Sequence, residues 1–221
     1  MQYDFDFSVV LDQADRLLLG CLWTLGLSFL AMCVGIVAAI MILPLRMSKV
    51  GVLAFLAGAY VQLFRNTPFL VQIYFIYFGF PAMGVRFDSN TAALIALSAN
   101  FAAYSSEIIR GGITSIPRGQ TEAGLALGLG NLETFFYIVL KPAVRKVYPA
   151  LVSQFVLLML MTSVASSVGA TELTYFGQEI EYSTYRSFEV YFTLSAIYLS
   201  MALLLSFALS RVDKFIFRYP V

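Results

Sequence analysis

The residues able to do chemistry are few, and their placement is unusual for polar groups. Arg65, Asn66, Thr67, Glu107, Gln154, Thr162, Ser163 and Ser166 lie within or at the edges of long apolar runs, where a polar group is costly and its retention marks a functional candidate. Together they offer hydrogen bonds and charge to a polar solute, which is the chemistry of a path and not of a bond-breaking centre. Two bland explanations compete with this. Arg65 and Glu107 sit near the ends of their runs, where snorkelling or a structural ion pair would account for them. Thr162, Ser163, Ser166 and Ser167 could be small-residue helix packing, with each hydroxyl bonded to its own backbone. Bond-breaking chemistry is poorly provided for. The sequence has no histidine, which excludes a histidine nucleophile triad, a His-zinc site and a histidine proton relay. It also has no Gly-x-x-x-x-Gly-Lys-Ser/Thr loop to cradle nucleotide phosphates, so no catalytic residue, metal site or cofactor is expected in this chain.

The elements that position these residues are membrane-spanning helices. Of the 221 residues, 60% are hydrophobic and only 12% charged, and the mean hydropathy is +0.82, far from the balance of a soluble domain. Runs at about 17–43, 91–110, 149–168 and 190–210 are each long enough to cross a bilayer, which takes roughly 20 mostly apolar residues. The stretch from Val50 to Met83 would make about 51 Å of unbroken helix against a hydrocarbon core of about 30 Å. It must therefore break or tilt, and Arg65-Asn66-Thr67-Pro68 is the expected break, because the residue before proline leaves helical geometry and proline has no donor. With a span at 53–81 the count is five, in a single all-α membrane domain covering 1–221. Cys21 and Cys33 fall about 18 Å apart along one helix, too far for a disulfide, and read as packing residues. Asp4, Asp6, Asp12 and Asp15 precede the first apolar run without a basic region, so that run is expected to stay as a helix and not to be cleaved as a signal peptide.

Charge placement orients the spans. Arg46, Lys49, Arg110, Arg118, Lys141, Arg145, Lys146, Arg211, Lys214 and Arg218 fall on one side, against Arg16, Arg86 and Arg186 on the other. By the positive-inside rule the N terminus is outside and the C terminus inside. The segment 111–148 is then cytoplasmic. Within it Ser115 is an expected N-cap, with Pro117 near the first turn of a short helix running to about Leu127, and Gly128 and Gly130 as its stop. Asn131 is expected to cap a second short helix, with Glu133 in its first turn and Pro142 marking its end or a kink.

The stretch Glu122-Ala123-Gly124 with Gly128, Ile138 and Leu140 resembles the EAA loop of ABC importer permeases, a pattern of Glu-Ala-Ala, three residues, Gly, nine residues, Ile, one residue, Leu-Pro. Gly124 replaces the second alanine, and Lys141 holds the proline position, with Pro142 one residue later. Tyr60 to Pro68, Ala102 to Gly112, Glu172-Leu173-Thr174 and Arg186 to Tyr191 are similar to corresponding segments of the polar amino-acid subfamily. This resemblance implies a type I importer fold. Its coupling helix, formed by Arg118, Gly119, Glu122, Ala123, Gly124, Leu125 and Gly128 between spans three and four, would lie in a cleft of a cytoplasmic ATPase dimer that holds ATP and magnesium. It further implies a second permease subunit, identical or paralogous, an external solute-binding protein, an amino acid or amino-acid derivative as substrate, and the bacterial inner membrane as location. Many members carry a Lys-Asp pair before the Thr-Ser of the fourth span, where Leu160 and Met161 stand here; this leaves open a heterodimer whose other permease chain holds the ligand. The main competing reading is an ion-driven secondary transporter or channel subunit, which accounts less well for a long cytoplasmic segment with capped helices.

Overall fold

The computed structural model describes residues 4–216, with side chains through 212; Lys214 and Arg218, counted in the charge bias, lie outside the described side chains. All regular elements among the described residues are helical. After a single turn at Ser8–Leu11, α1 runs Ala14–Arg46 and α2 Gly51–Asn66. Next come the shorter α3, Phe69–Met83, and then α4, Ser89–Thr114. The short α5, Arg118–Ala126, leads to α6, Asn131–Val168. Beyond it lie α7, Leu173–Thr184, and α8, Ser187–Ile216.

Four of these helices, α1, α4, α6 and α8, are long and apolar enough to cross a membrane. The expected break falls between α2 and α3: Thr67 and Pro68 take extended backbone, with ψ of 144° and 139°. Neither half alone has the length of the four long helices, so the pair α2–α3 stands where one continuous helix would have been too long.

The bundle is organised around α4. In its most apolar 18-residue stretch 61% of residues are buried, against 6% in α8, which makes α4 the axis and α8 an outer element of the bundle. Ala92, Ala93 and Ala96 pack with Ile73, Ile76, Ala165 and Val168, while Leu97 and Phe101 pack with Ala31, Phe155 and Leu158. Close approach of α1 depends on a stripe of small side chains. Gly20, Thr24, Ser28, Ala31, Gly35 and Ala39 are its buried positions after Leu17, spaced three or four residues apart so that they share one face. Small residues are what membrane helices use to bring backbones together, because lipid supplies no hydrophobic drive between them.

Two local expectations change. The Ser115 hydroxyl does not cap α5; it donates back to Gly112 O at 2.7 Å, and Pro117 takes the N-cap position. The second helix does not stop at Pro142 either. A π-helical stretch at Thr134–Leu140 passes directly into α-helical register at Lys141, where Pro142 occupies the opening turn and its missing donor costs least. Asn131 is the first helical residue and Gly130 the cap, with the Glu133 carboxylate accepting from Gly130 N at 2.8 Å. The second short helix and the fourth span are therefore one helix.

A Cβ at Gly35 would stand 2.9 Å from Ser98 O and from Phe101 Cδ1. Gly35→Val is expected to cost about 1–3 kcal/mol by overpacking and to lower the thermal unfolding midpoint in detergent; an unchanged midpoint would mean that α1 and α4 are not in such close contact.

Candidate functional site

Three groups of residues carry the polar and exposed chemistry. The first is α5 and the turn that ends it. Gly128 adopts φ +85°, a left-handed conformation that glycine enters without a Cβ penalty. Its N–H donates to Leu125 O at 3.0 Å, and Leu129 N–H donates to Gly124 O at 3.2 Å. That bond pair is a Schellman cap, which ends α5 after two turns. Gly124 is turned inward: a Cβ there would lie 2.7 Å from Ile138 Cδ1 and 2.9 Å from Thr134 Cγ2. This contact gives a physical reason for glycine where the family pattern has its second alanine. Arg118, Gly119, Glu122, Ala123 and Gly128 face outward with Leu125 and Leu127. Leu127 is 81% exposed, and Leu132, Phe136 and Tyr137 of α6 are exposed beside it in the chain. These last three side chains were not read from the sequence as part of the site, because the expected short helix there gave no reason to separate its inner from its outer face.

The second group joins the α5 ends of α1 and α4. Glu107 accepts from Arg46 Nε at 3.1 Å and from Arg110 Nη2 at 2.7 Å, so one carboxylate holds two guanidinium groups. Glu107 is thus placed in a structural ion pair. Among the described residues Arg65 has no ion pair of the kind seen at Glu107; its guanidinium lies 5.4 Å from the centre of the Tyr104 ring, a cation–π contact. Asn66 is exposed and donates to Gln62 Oε1 at 2.7 Å.

The third group follows α6. The hydroxyls of Thr162, Ser163 and Ser166 donate to Met159 O, Leu160 O and Ser163 O at 2.6, 2.7 and 2.7 Å. They are spent on their own helix, as the packing explanation requires. Gln154 is buried, and Leu160 and Met161 are half-buried; Met161 packs against the Leu97–Phe101 cluster.

Several buried polar residues were missed as site candidates. Gln72 and Asn100 are bonded to one another at 2.9 Å beside the α2–α3 break. Glu172 is fully buried; its carboxylate caps α7 by accepting from Tyr175 N at 2.7 Å and accepts also from Tyr198 OH. Leu173 N–H next to it donates to Thr24 Oγ1 at 3.0 Å, so the start of α7 is tied to α1 and α8. Burial pushes the Glu172 carboxyl above its usual range, against the pull of these hydrogen bonds. Glu189 is equally buried and takes Asp6 N–H at 3.1 Å and Arg186 Nη1 at 3.2 Å, fastening the N-terminal segment to α8. At the start of α4, the Thr91 hydroxyl and amide hold the Asp88 carboxyl below its usual range. Among the described residues no group of acids and cysteines could hold a metal ion.

Glu107→Gln keeps the shape but removes the charge; discounted for partial exposure, the loss is about 1 kcal/mol. A double-mutant cycle with Arg46→Gln, read by thermal unfolding, is expected to show coupling between the two sites, and additive effects would mean the pair is not formed.

The chain matches, over residues 31–218, the family described as binding-protein-dependent transport system inner membrane component. It is 35% identical over 212 residues to a glutamine transport system permease protein of Escherichia coli strain K12, covering 95% of this chain and 97% of that one. A nopaline transport system permease protein of Agrobacterium fabrum is 35% identical over 211 residues, covering 91% of this chain and 88% of that one. The fold superposes on a chain from the crystal structure of an amino acid ABC transporter with histidines at a TM-score of 0.91, with 32% identity and coverage of 96% and 99%.

Proposed function

This chain belongs to the family of inner membrane components of binding-protein-dependent transport systems, as the permease subunit of an amino-acid ABC importer, and we propose how its residues do that work. ATP is hydrolysed in a separate subunit, and α5 is the part of this chain that receives the movement. The observation that carries this reading is the shape of α5: a two-turn helix, ended by Gly128, that presents Glu122, Leu125 and Leu127 outward while Gly124 seats it on α6. A short amphipathic rod of that kind fits a cleft, and its close seating on α6 passes a push to the spans as rigid-body movement.

In our reading the chain crosses the membrane five times, with α2 and α3 together forming the second crossing. The N terminus lies outside and the α5 end inside the bacterial cytoplasmic membrane, in keeping with the basic residues gathered at that end. Its partners are a cytoplasmic ATPase dimer that binds ATP and magnesium, a second permease subunit and an external solute-binding protein. The cargo is a polar amino acid or an amino-acid derivative; relatives named for glutamine and for nopaline transport frame that range. Of the polar candidates, Arg65, Asn66, Thr67 and Gln154 are proposed to border the path, while Glu107 is held in its ion pair and Thr162, Ser163 and Ser166 are bonded to their own helix. With Leu160 and Met161 apolar and the neighbouring hydroxyls bonded to their own helix, we assign the charged ligand contacts to the second permease subunit. Cross-linking of a photoreactive amino acid to this chain's 160–166 stretch would overturn that assignment.

Purification in mild detergent with the co-expressed neighbouring subunits tests the central claim. Wild type is expected to carry an active ATPase. Glu122→Lys and Gly124→Leu are expected to release it or to lower transport by roughly tenfold or more, the scale of a lost interface anchor. If no ATPase accompanies the wild type, the coupling assignment of α5 fails.

A further inference from the structure

We propose that Gln72, oriented by Asn100, is a positioning residue of the transport cycle: it locks the α2–α3 break to α4, so that α3 and α4 move as one body when α5 is displaced. The inference rests on the coupling role assigned to α5 above, and it begins from an accounting of backbone groups.

A helix that stops at Asn66 leaves the carbonyls of its last turn without helical donors. Wherever water does not reach a broken membrane helix, protein groups must satisfy them. Side chains do so here, one carbonyl at a time. Thr67 Oγ1 donates to Leu63 O at 2.7 Å. Gln72 Nε2 donates to Phe64 O at 2.8 Å and reaches Thr67 O at 3.0 Å and Thr67 Oγ1 at 2.9 Å, sharing its two hydrogens among three acceptors. Tyr104 OH donates to Arg65 O at 3.3 Å.

Gln72 can serve as donor only if its amide faces the break nitrogen first. Asn100 decides that orientation, because its Nδ2 donates to Gln72 Oε1 at 2.9 Å, leaving Nε2 on the side of the carbonyls. Asn100 itself is 3% exposed, and its Oδ1 has no hydrogen-bond partner. The unpaired oxygen is a cost, and the Nδ2 of the same side chain is what satisfies Gln72 Oε1.

Two of the groups that hold the break, Asn100 and Tyr104, project from α4. On the same helix Glu107 follows, paired with both Arg110 and Arg46, and after Thr114 a short connection leads into α5. Movement of α5 reaches α4 through the 115–117 connection and through α6, which meets α4 at Gly112, and Asn100–Gln72 is where α4 holds the break. Ile73 and Ile76 hold α3 to α4 against Ala92, Ala93 and Ala96, and the Gln72–Asn100 pair adds the polar contact at the extended backbone of Thr67 and Pro68.

The test uses the complete transporter, with its ATPase and binding protein, in proteoliposomes. Cys21 and Cys33 are changed to serine, and spin labels are placed at Phe78→Cys on α3 and Thr114→Cys on α4. Distances are measured without nucleotide and after trapping with ATP and vanadate. ATP hydrolysis and uptake of a radiolabelled protein-hydrolysate amino-acid mixture are recorded alongside. In the otherwise wild-type transporter the α3–α4 distance is expected to be the same in both states. In Gln72→Leu and Asn100→Leu it is expected to broaden or shift, with uptake per ATP falling about tenfold while hydrolysis continues. Asn100→Leu removes the unpaired Oδ1 but strips Gln72 Oε1 of its donor, so the thermal unfolding midpoint of both leucine variants is recorded to separate a folding defect from lost coupling. A distance that changes in the wild-type background, or that stays the same in both leucine variants, would overturn the proposal. If the unsubstituted transporter lacks a bound ATPase, the prior assignment of α5 has failed, and that result is distinct from either outcome here.

Discussion

The constraint on which the rest of the structure depends is that backbone polar groups in a bilayer must find partners inside the protein. Long helices meet it within themselves, and the four long apolar helices do. The α2–α3 break does not, and the chain answers with Thr67, Gln72 and Tyr104 as side-chain donors to Leu63, Phe64 and Arg65 carbonyls. Because one of those donors comes from α4 and another is held by it, satisfying the break also fixes where the broken span sits.

The same constraint governs the other end of the bundle's connections. The start of α7 is a buried interruption between α6 and α8, and its free amides are taken by Glu172 and by Thr24. Around these joints the packing is close because the facing residues are small. Gly20 against Leu173, Gly35 against Ser98 and Phe101, and Gly112 against Ala143 and Val147 leave no room for a Cβ. A bundle assembled through such contacts moves in pieces and not by local deformation, which suits a protein that must carry movement from α5 into the membrane.

Much of the fold was legible from elementary signals. Apolar length marked the four long helices, Pro68 marked the break, and Gly128 marked the end of α5. Where reading failed, a local rule met a tertiary fact. Pro142 looked like a stop but falls in the opening turn of restored α-helical register after a π stretch, so two expected helices are one. Ser115 looked like a cap but bonds backward to Gly112. Glu107 was read as a candidate for either a path or an ion pair, and only the arrival of Arg46 from the end of α1 settled its partner.

The sequence by itself determined that this is a helical membrane protein, that the stretch from Val50 to Met83 must break, and that a short helix carries an EAA-like pattern. These follow from local composition and spacing, which act over one or two turns. Only the tertiary structure decided which polar residues serve each other. Gln72 and Asn100 are separated by most of α3 and part of α4, and Glu172 and Tyr198 by α7 and the start of α8. Their pairing depends on helix packing, and helix packing depends on which faces are small enough to meet.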